Sequence, residues 1–459
     1  MAGGKYSLEP VEVPRVETAH RRIVTRLPVP ESLSILRKLA RFEPRSMQGQ
    51  PPIIWHRAQG VSVEDAWDNR WLDWSSGVLV TNVGHGHPKI VAAVREVVER
   101  PLLATYVFPH AVRADLAERI VELAPDGLEK AFILSTGSEA VECAVKLART
   151  WGVEKAGPHK HVIVSFQNAF HGRTLGSQLA GGMPRLKDWI VRTDAGFVQV
   201  PFPDGYKNED TRFELFEESL AGQGVKGECV AGVITESYQG VGPDFLPVEY
   251  AKRLRAWCNS HGAALIMDEV QSGFGRTGRM WCFEHYGVVP DLITCGKGVS
   301  SSLPVAAVVG RGELMDLYAP GSMTSTHSGN PVCCAAALAN LQVLVEEGLV
   351  ENAARLGPAL KDGLLKIQRA QPDVVGCVQA LGLVAGLQMV LPGTKTPNPD
   401  LALKVNEKCF QKGLLMFAPV GVGGECVKIS PPLCITLDAL SEGLQVLSEA
   451  VDEACAEGS

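Results

Sequence analysis

Six short apolar runs, Ala131–Ser135, His161–Ser165, Val230–Thr235, Ala263–Met267, Asp291–Thr294 and Pro304–Val309, recur through the middle of the chain with longer amphipathic stretches between them. Short runs of continuous apolar character fit strands buried on both faces, and the stretches 138–151 and 248–260 carry helical spacing. Such alternation builds an α/β fold with a mainly parallel sheet covered on both faces, and ligands collect at the carboxyl ends of its strands. A chain of 459 residues is too long for one simple core. We expect a large domain over 76–345 and a smaller α+β domain of 346–459, to which the N-terminal segment 1–75 contributes. Within that segment Gly60–Trp74 alternates apolar and polar residues around Asp68-Asn69, a hairpin pattern. A helix from Pro331 to Val350 is expected to lead out of the large domain.

Charge and cysteine usage exclude several classes. The net charge is −7, which argues against a general nucleic-acid-binding surface. The twelve cysteines include no C-x-x-C pair and sit mostly in apolar settings, as in Val332-Cys-Cys334, so they read as reduced buried thiols rather than a disulfide framework or a metal site. The first ten residues lack the apolar core of a signal peptide, and no stretch approaches eighteen apolar residues. The expectation is a cytoplasmic protein with no membrane partner and no metal.

The chemistry lies at the ends of the apolar runs. Lys297, in Asp291-Leu-Ile-Thr-Cys-Gly-Lys297-Gly, follows Asp268, in Ala264-Leu-Ile-Met-Asp268-Glu-Val-Gln, by 29 residues, and each sits where a strand meets a glycine-bearing turn. Pyridoxal phosphate chemistry requires such a pair: a lysine amine to form a Schiff base with the aldehyde, and a carboxylate to keep the pyridine nitrogen protonated. Ser135-Thr136-Gly137-Ser138-Glu139 opens a helix and reads equally as a phosphate cradle or as a capping box. Further runs at strand ends are Ala169-Phe170-His171-Gly172-Arg173, Thr235-Glu236-Ser-Tyr-Gln-Gly240 and Ser325-Thr326-His-Ser-Gly-Asn-Pro331.

Together these runs resemble the class III pyridoxal-phosphate aminotransferases, the group of 4-aminobutyrate, ornithine and ω-amine transaminases, from about Leu72 to the C-terminus. The resemblance implies an aspartate-aminotransferase-like fold and a homodimer, or a tetramer of such dimers, with a shared active site. It implies cofactor-phosphate contacts at Gly137 and Ser138, a ring stacked on Phe170 with Val270 over the other face, and Gln271 on the phenolic oxygen. Lys297 and Asp268 become the catalytic pair, His171 a hydrogen-bonded neighbour, and Glu236 a group that pairs with an arginine or orients substrate. Thr326 would reach the phosphate of the neighbouring subunit. Trp74 and Val80 would line an apolar substrate entrance, and Arg173 matches a position that contacts carboxylate in 4-aminobutyrate aminotransferases. The expected reaction moves an amino group from a primary amine or ω-amino acid to pyruvate or 2-oxoglutarate.

Two departures stand out. Ser237 replaces the proline of the family's Glu-Pro-x-Gln-Gly, and Lys428 stands where relatives acting on amino and keto acids usually carry arginine. Lysine is a point charge where arginine offers a planar fork, so carboxylate recognition here is weakened or relocated, unless Lys428 is only a surface residue after a strand. A racemase or epimerase on the same scaffold is the main alternative. The decarboxylating relatives are disfavoured because Ser76-Gly77 is followed by Val78 rather than glutamine. A non-enzymatic binding protein would have little reason to keep both Lys297 and Asp268.

Overall fold

The computed structural model describes residues 6–457. The chain divides into two compact units, Pro88–Glu351 and Met1–His87 with Asn352–Ser459.

The first unit is built on seven strands: β1 (Lys130–Leu134), β2 (Val162–Phe166), β3 (Phe197–Val200), β4 (Val230–Glu236), β5 (Ala264–Asp268), β6 (Leu292–Cys295) and β7 (Ala306–Gly310). Their order is β1-β7-β6-β5-β4-β2-β3, parallel from β6 through β3, with β7 antiparallel to both its neighbours. Every residue of β4 and β5 is buried, as continuous apolar runs between two helix layers should be. The edge strand β3 was not among the expected runs. Its Phe-Val-Gln-Val alternates half-buried and buried residues around Gln199, so one face stays accessible and the apolar run is interrupted.

Helix α1 (Gly137–Ala156) lies on this sheet, with Ala140, Val141, Ala144, Val145, Leu147 and Ala148 in one core with Ile163, Ile234, Ile266, Leu292 and Val308. Its small residues allow a close approach. A Cβ on Gly152 would stand 2.6 Å from the Lys160 carbonyl oxygen and 2.8 Å from the Ala231 Cβ. Helix α2 (Val248–His261) ends at Gly262, whose left-handed φ of 59° suits glycine. Helix α3 (Pro331–Glu346) stops short of the expected Val350, because Gly348 turns left-handed at φ 61° and a separate helix, Leu349–Ala370, begins.

The other unit holds the expected hairpin: Ser62–Glu64 pairs antiparallel with Arg70–Asp73, Ser62 opposite Leu72. The Asp65 carboxylate accepts the Trp67 and Asn69 amides at 2.8 and 3.0 Å across the turn. A second antiparallel sheet joins β8 (Val375–Leu381), β9 (Val384–Met389) and β10 (Cys426–Ile429). No single helix among the described residues is long and apolar enough to cross a membrane.

Candidate active site

Strand register brings three polar residues into line. Asp268, last in β5, pairs with Glu236, last in β4, and with Thr294 in β6. The Thr294 hydroxyl and the Val270 amide each donate to Asp268 Oδ1 at 3.1 Å. His171 Nδ1 donates to Asp268 Oδ2 at 2.7 Å. The His171 side chain is fully enclosed and its Nε2 has no partner among the described residues. Burial pulls the His171 pKa down, but the hydrogen bond and charge of Asp268, with Glu236 behind them, outweigh it and raise the value overall. The histidine fixes one oxygen of Asp268 and leaves its carboxyl oriented toward the site.

Lys297 follows Gly296 into a turn after β6 and takes a left-handed φ of 42°. A lysine in that region is strained, and strain of this kind concentrates at functional sites. The turn is held from α3: the buried Asn340 amide donates to the carbonyls of Gly298 and Val299 at 2.9 and 3.0 Å and accepts from Ser301 at 2.7 Å. The Lys297 side chain is partly accessible. Burial lowers its pKa, while the charges of Asp268 and Glu236 pull the other way. The outcome is an amine more easily neutral than an ordinary lysine, as a nucleophile or base must be.

Glu236 is buried and its carboxyl accepts two amides, Phe170 at 2.9 Å and Gly240 at 2.8 Å. Burial pushes its pKa up to about 7 despite the neighbouring His171 charge and these amides. One carboxylate thus pins the aromatic segment and the turn beyond β4 together. Gly240 packs on Gln271, whose amide nitrogen would stand 2.3 Å from any Cβ there. Val270 packs on Gly137, where a Cβ would come within 2.9 Å of Val270 Cγ1.

At the start of α1 the two readings of the Ser135–Glu139 run coexist. Glu139 closes a capping box with Thr136 and accepts the amides of Ser135 and Thr136 at 3.1 and 2.9 Å. The next two amides, of Gly137 and Ser138, stand at a positive helix end, where an anion binds. Ser138 Oγ accepts the Arg173 amide at 3.2 Å. Gly172, at φ 131°, would place a Cβ 2.3 Å from that same oxygen, so this close approach needs glycine.

Arg173 is exposed and lays its guanidinium over the Phe170 ring, 5.5 Å from the centroid. Thr326 is exposed on the turn before α3, where Asn330 caps the helix and Pro331 takes its first position. Trp74, Val80 and Lys428 belong to the other unit. The expectation for Trp74 needs correction: its side chain is wholly enclosed, and a Cβ on Gly443 would stand 2.2 Å from the ring. An indole packed in this way is core, not the wall of an entrance. Val80 is half-buried, just after a turn in which Ser76, Gly77, Val78 and Leu79 all have positive φ. Lys428 is not a surface lysine: it is 2% exposed, in mid-strand β10 opposite Gly386. Sequence reasoning missed Thr294, Asn340 and Glu269 as supports; Thr294, a hydroxyl in the otherwise apolar Leu-Ile-Thr-Cys run, was the only one with a signal.

The arrangement suits pyridoxal phosphate. It offers a lysine whose pKa burial lowers, on a strained turn, a carboxylate backed by a histidine, the Gly137 and Ser138 amides at a helix start, and a half-buried Phe170 and Val270 for a flat ring. The pattern of the Aminotransferase class-III family matches residues 45–451. The 4-aminobutyrate aminotransferase of Mycobacterium leprae is 34% identical over 94% of this chain and 98% of its own. The 5-aminovalerate aminotransferase of Pseudomonas putida is 35% identical over 92% and 98%. An amine transaminase from an uncultivated Pseudomonas species, solved in its pyridoxal-phosphate-bound form, superposes with a TM-score of 0.81 at 28% identity, covering 88% of this chain and 95% of that one. The chain belongs to the class III aminotransferases, pyridoxal-phosphate-dependent enzymes that transfer an amino group from an amine donor to a keto acid.

Proposed function

We propose that the donor is an ω-amino acid or a primary amine without a neighbouring carboxylate, and that the acceptor is pyruvate or 2-oxoglutarate. The observation that carries this is Lys428, buried in β10, in place of the arginine that grips a carboxylate in many relatives. A buried ammonium attracts an anion but cannot clamp it with two parallel bonds. Arg173, exposed beside Phe170, is a cation that a carboxylate at the far end of a longer donor could meet. The names of the relatives, 4-aminobutyrate and 5-aminovalerate aminotransferases, point the same way.

Bound pyridoxal phosphate supplies an aldehyde that exchanges amines and a ring that takes up electrons. Lys297 would hold it covalently, Gly137 and Ser138 would take its phosphate, Phe170 and Val270 would flank its ring, and Asp268, backed by His171, would face the ring nitrogen. Gln271 would reach its phenolic oxygen. Lys297 Nζ would also serve as the base that takes the proton from the donor's amine-bearing carbon. Glu236 orients the Phe170 segment and the Gly240 turn around that base.

The active unit in this reading is a homodimer, with Thr326 of the partner subunit completing the phosphate site. Supporting it is an exposed apolar stretch beside the Thr326 turn: Leu103, Tyr106, Val107 and Phe108 are 57%, 43%, 46% and 71% exposed, the kind of surface that partners cover. The reduced thiols fit a cytoplasmic setting.

The test is a half-reaction on the yellow holoenzyme without keto acid, adding in turn a carboxylate-free primary amine, 4-aminobutyrate and a branched or aromatic α-amino acid. Bleaching by the first two and not by the third supports the reading. Bleaching by the α-amino acid alone would sink it. Retained colour with racemisation of the α-amino acid would assign the chain to the racemases instead.

A further inference from the structure

Ser237, where the resemblance expects proline, has a fully buried side chain that donates its hydroxyl to Glu269. Glu269 is also fully buried and sits directly after Asp268. Its carboxylate gathers donors from three segments: Ser237 beyond β4, Ser272 in the turn after β5 at 2.9 Å, and the amides of Cys282 and Phe283 at 2.9 and 3.1 Å. Tyr286, from the same short helix as Cys282, donates to the Ser237 carbonyl. Tyr238, next along, donates to the Gln271 carbonyl at 3.2 Å. Three residues of this knot each follow one that faces the candidate site: Ser237 follows Glu236, Glu269 follows Asp268, and Ser272 follows Gln271.

We propose that Ser237 and Glu269 are a positioning pair, which fixes the strand end carrying Glu236 against the strand end carrying Asp268 and so sets Phe170 and Gln271 around the cofactor. The inference rests on the site reading above. Without the hydroxyl, the chain beyond Glu236 loses its direct bond to the carboxylate that follows Asp268. Glu236 then holds the Phe170 and Gly240 amides less firmly, and both the ring stack and the Gln271 contact loosen. A proline would stiffen this position through its ring; here one hydrogen bond to a buried carboxylate takes its place.

The test compares the wild type with S237A, S237T, E269Q and S237A/E269Q as holoenzymes. Three quantities are read: pyridoxal phosphate retained after dilution, kcat and KM of the half-reaction with a donor that bleaches the wild type, and melting temperature. S237A should lose about tenfold in kcat and in cofactor retention, the scale of one buried bond to a charged acceptor, with donor KM within about twofold. S237T, which keeps the hydroxyl, should recover most of both, and the double variant should be no worse than the worse single one. If S237A lowers only the melting temperature and keeps retention and kcat within about twofold, the pair is merely structural and the proposal is overturned. Effects that multiply in the double variant also overturn it. If E269Q fails to fold, S237A against S237T still decides. A wild type that no donor bleaches would overturn the proposed function, while cofactor retention by S237A would still decide the pair.

Discussion

His171 Nδ1 and Asp268 Oδ2 lie 2.7 Å apart with both side chains enclosed, so a histidine 97 residues upstream sits on one side of the carboxylate proposed to face the cofactor ring. The arrangement separates two functions. In this reading Asp268 faces the ring nitrogen, and His171 orients it. Asp268→Asn should lower the half-reaction rate by about 10²–10³-fold, the usual loss when one preorganised electrostatic group is removed. His171→Asn should cost about tenfold, as for groups that orient a neighbouring ligand. Stopped-flow bleaching of each holoenzyme checks the ranking, and equal losses would contradict it.

The same pair sets a pH dependence. The His171 pKa is raised in the folded chain, so its contribution to stability is fully present below the unfolded value of about 6.5 and is lost as pH rises through the raised folded value. Denaturant unfolding across pH 5–9 should show stability declining on the alkaline side in the wild type, and His171→Asn should flatten that decline.

Glu236 works in the same direction from the acid side. Its pKa is raised to about 7 by burial, so the folded chain holds this proton more tightly than the unfolded chain does. The cost of ionising it appears as pH rises from about 4.5 to about 7 and amounts to roughly 1–3 kcal/mol. Glu236→Gln, measured in the same unfolding series, should remove that slope. It should also weaken cofactor retention, because an amide cannot accept the Phe170 and Gly240 N–H groups equally well.

Asn340 illustrates what could and could not be read in advance. Lys297 and Asp268 could be singled out because each closes an apolar run at a glycine-bearing turn, and the chemistry that would join them is specific. The parallel sheet was legible from its continuous apolar runs. Asn340, Glu269 and Ser237 were not, since their roles depend on partners 32 to 42 residues away that only the folded register brings close. Lys428 was open to a surface reading because lysine is so seldom buried, and Trp74 was misplaced because an aromatic at the end of a hairpin fits core and entrance alike.

The Asn340 contacts also yield an expectation. Replacing it with leucine keeps the volume but leaves the Gly298 and Val299 carbonyls and the Ser301 hydroxyl without their partner, a loss of about 2–4 kcal/mol. The strained backbone at Lys297 should then relax. Asn340→Leu is expected to melt earlier and to release pyridoxal phosphate faster in a dilution assay, and Asn340→Asp, which keeps the acceptor for Ser301 but sets an acceptor-only buried carboxylate against the Gly298 and Val299 carbonyls, should melt no later than Asn340→Leu.

Lys428→Arg is the substitution that bears most directly on the donor. The lysine is buried in mid-strand, so the longer guanidinium must find room, and a melting-temperature drop of a few degrees from overpacking is expected. If the site beside β10 receives a carboxylate, the fork should gain on carboxylated donors relative to plain amines, because a bidentate pair is both stronger and more directional than a point charge. The expected shift is about tenfold in the ratio of kcat/KM for 4-aminobutyrate over a carboxylate-free amine, one good charge-assisted bond's worth. The ratio is the informative quantity, since any loss from strain in the shared machinery divides out. An unchanged ratio would assign carboxylate recognition to Arg173, and Arg173→Ala would then be the variant that lowers the reaction with 4-aminobutyrate while sparing the plain amine.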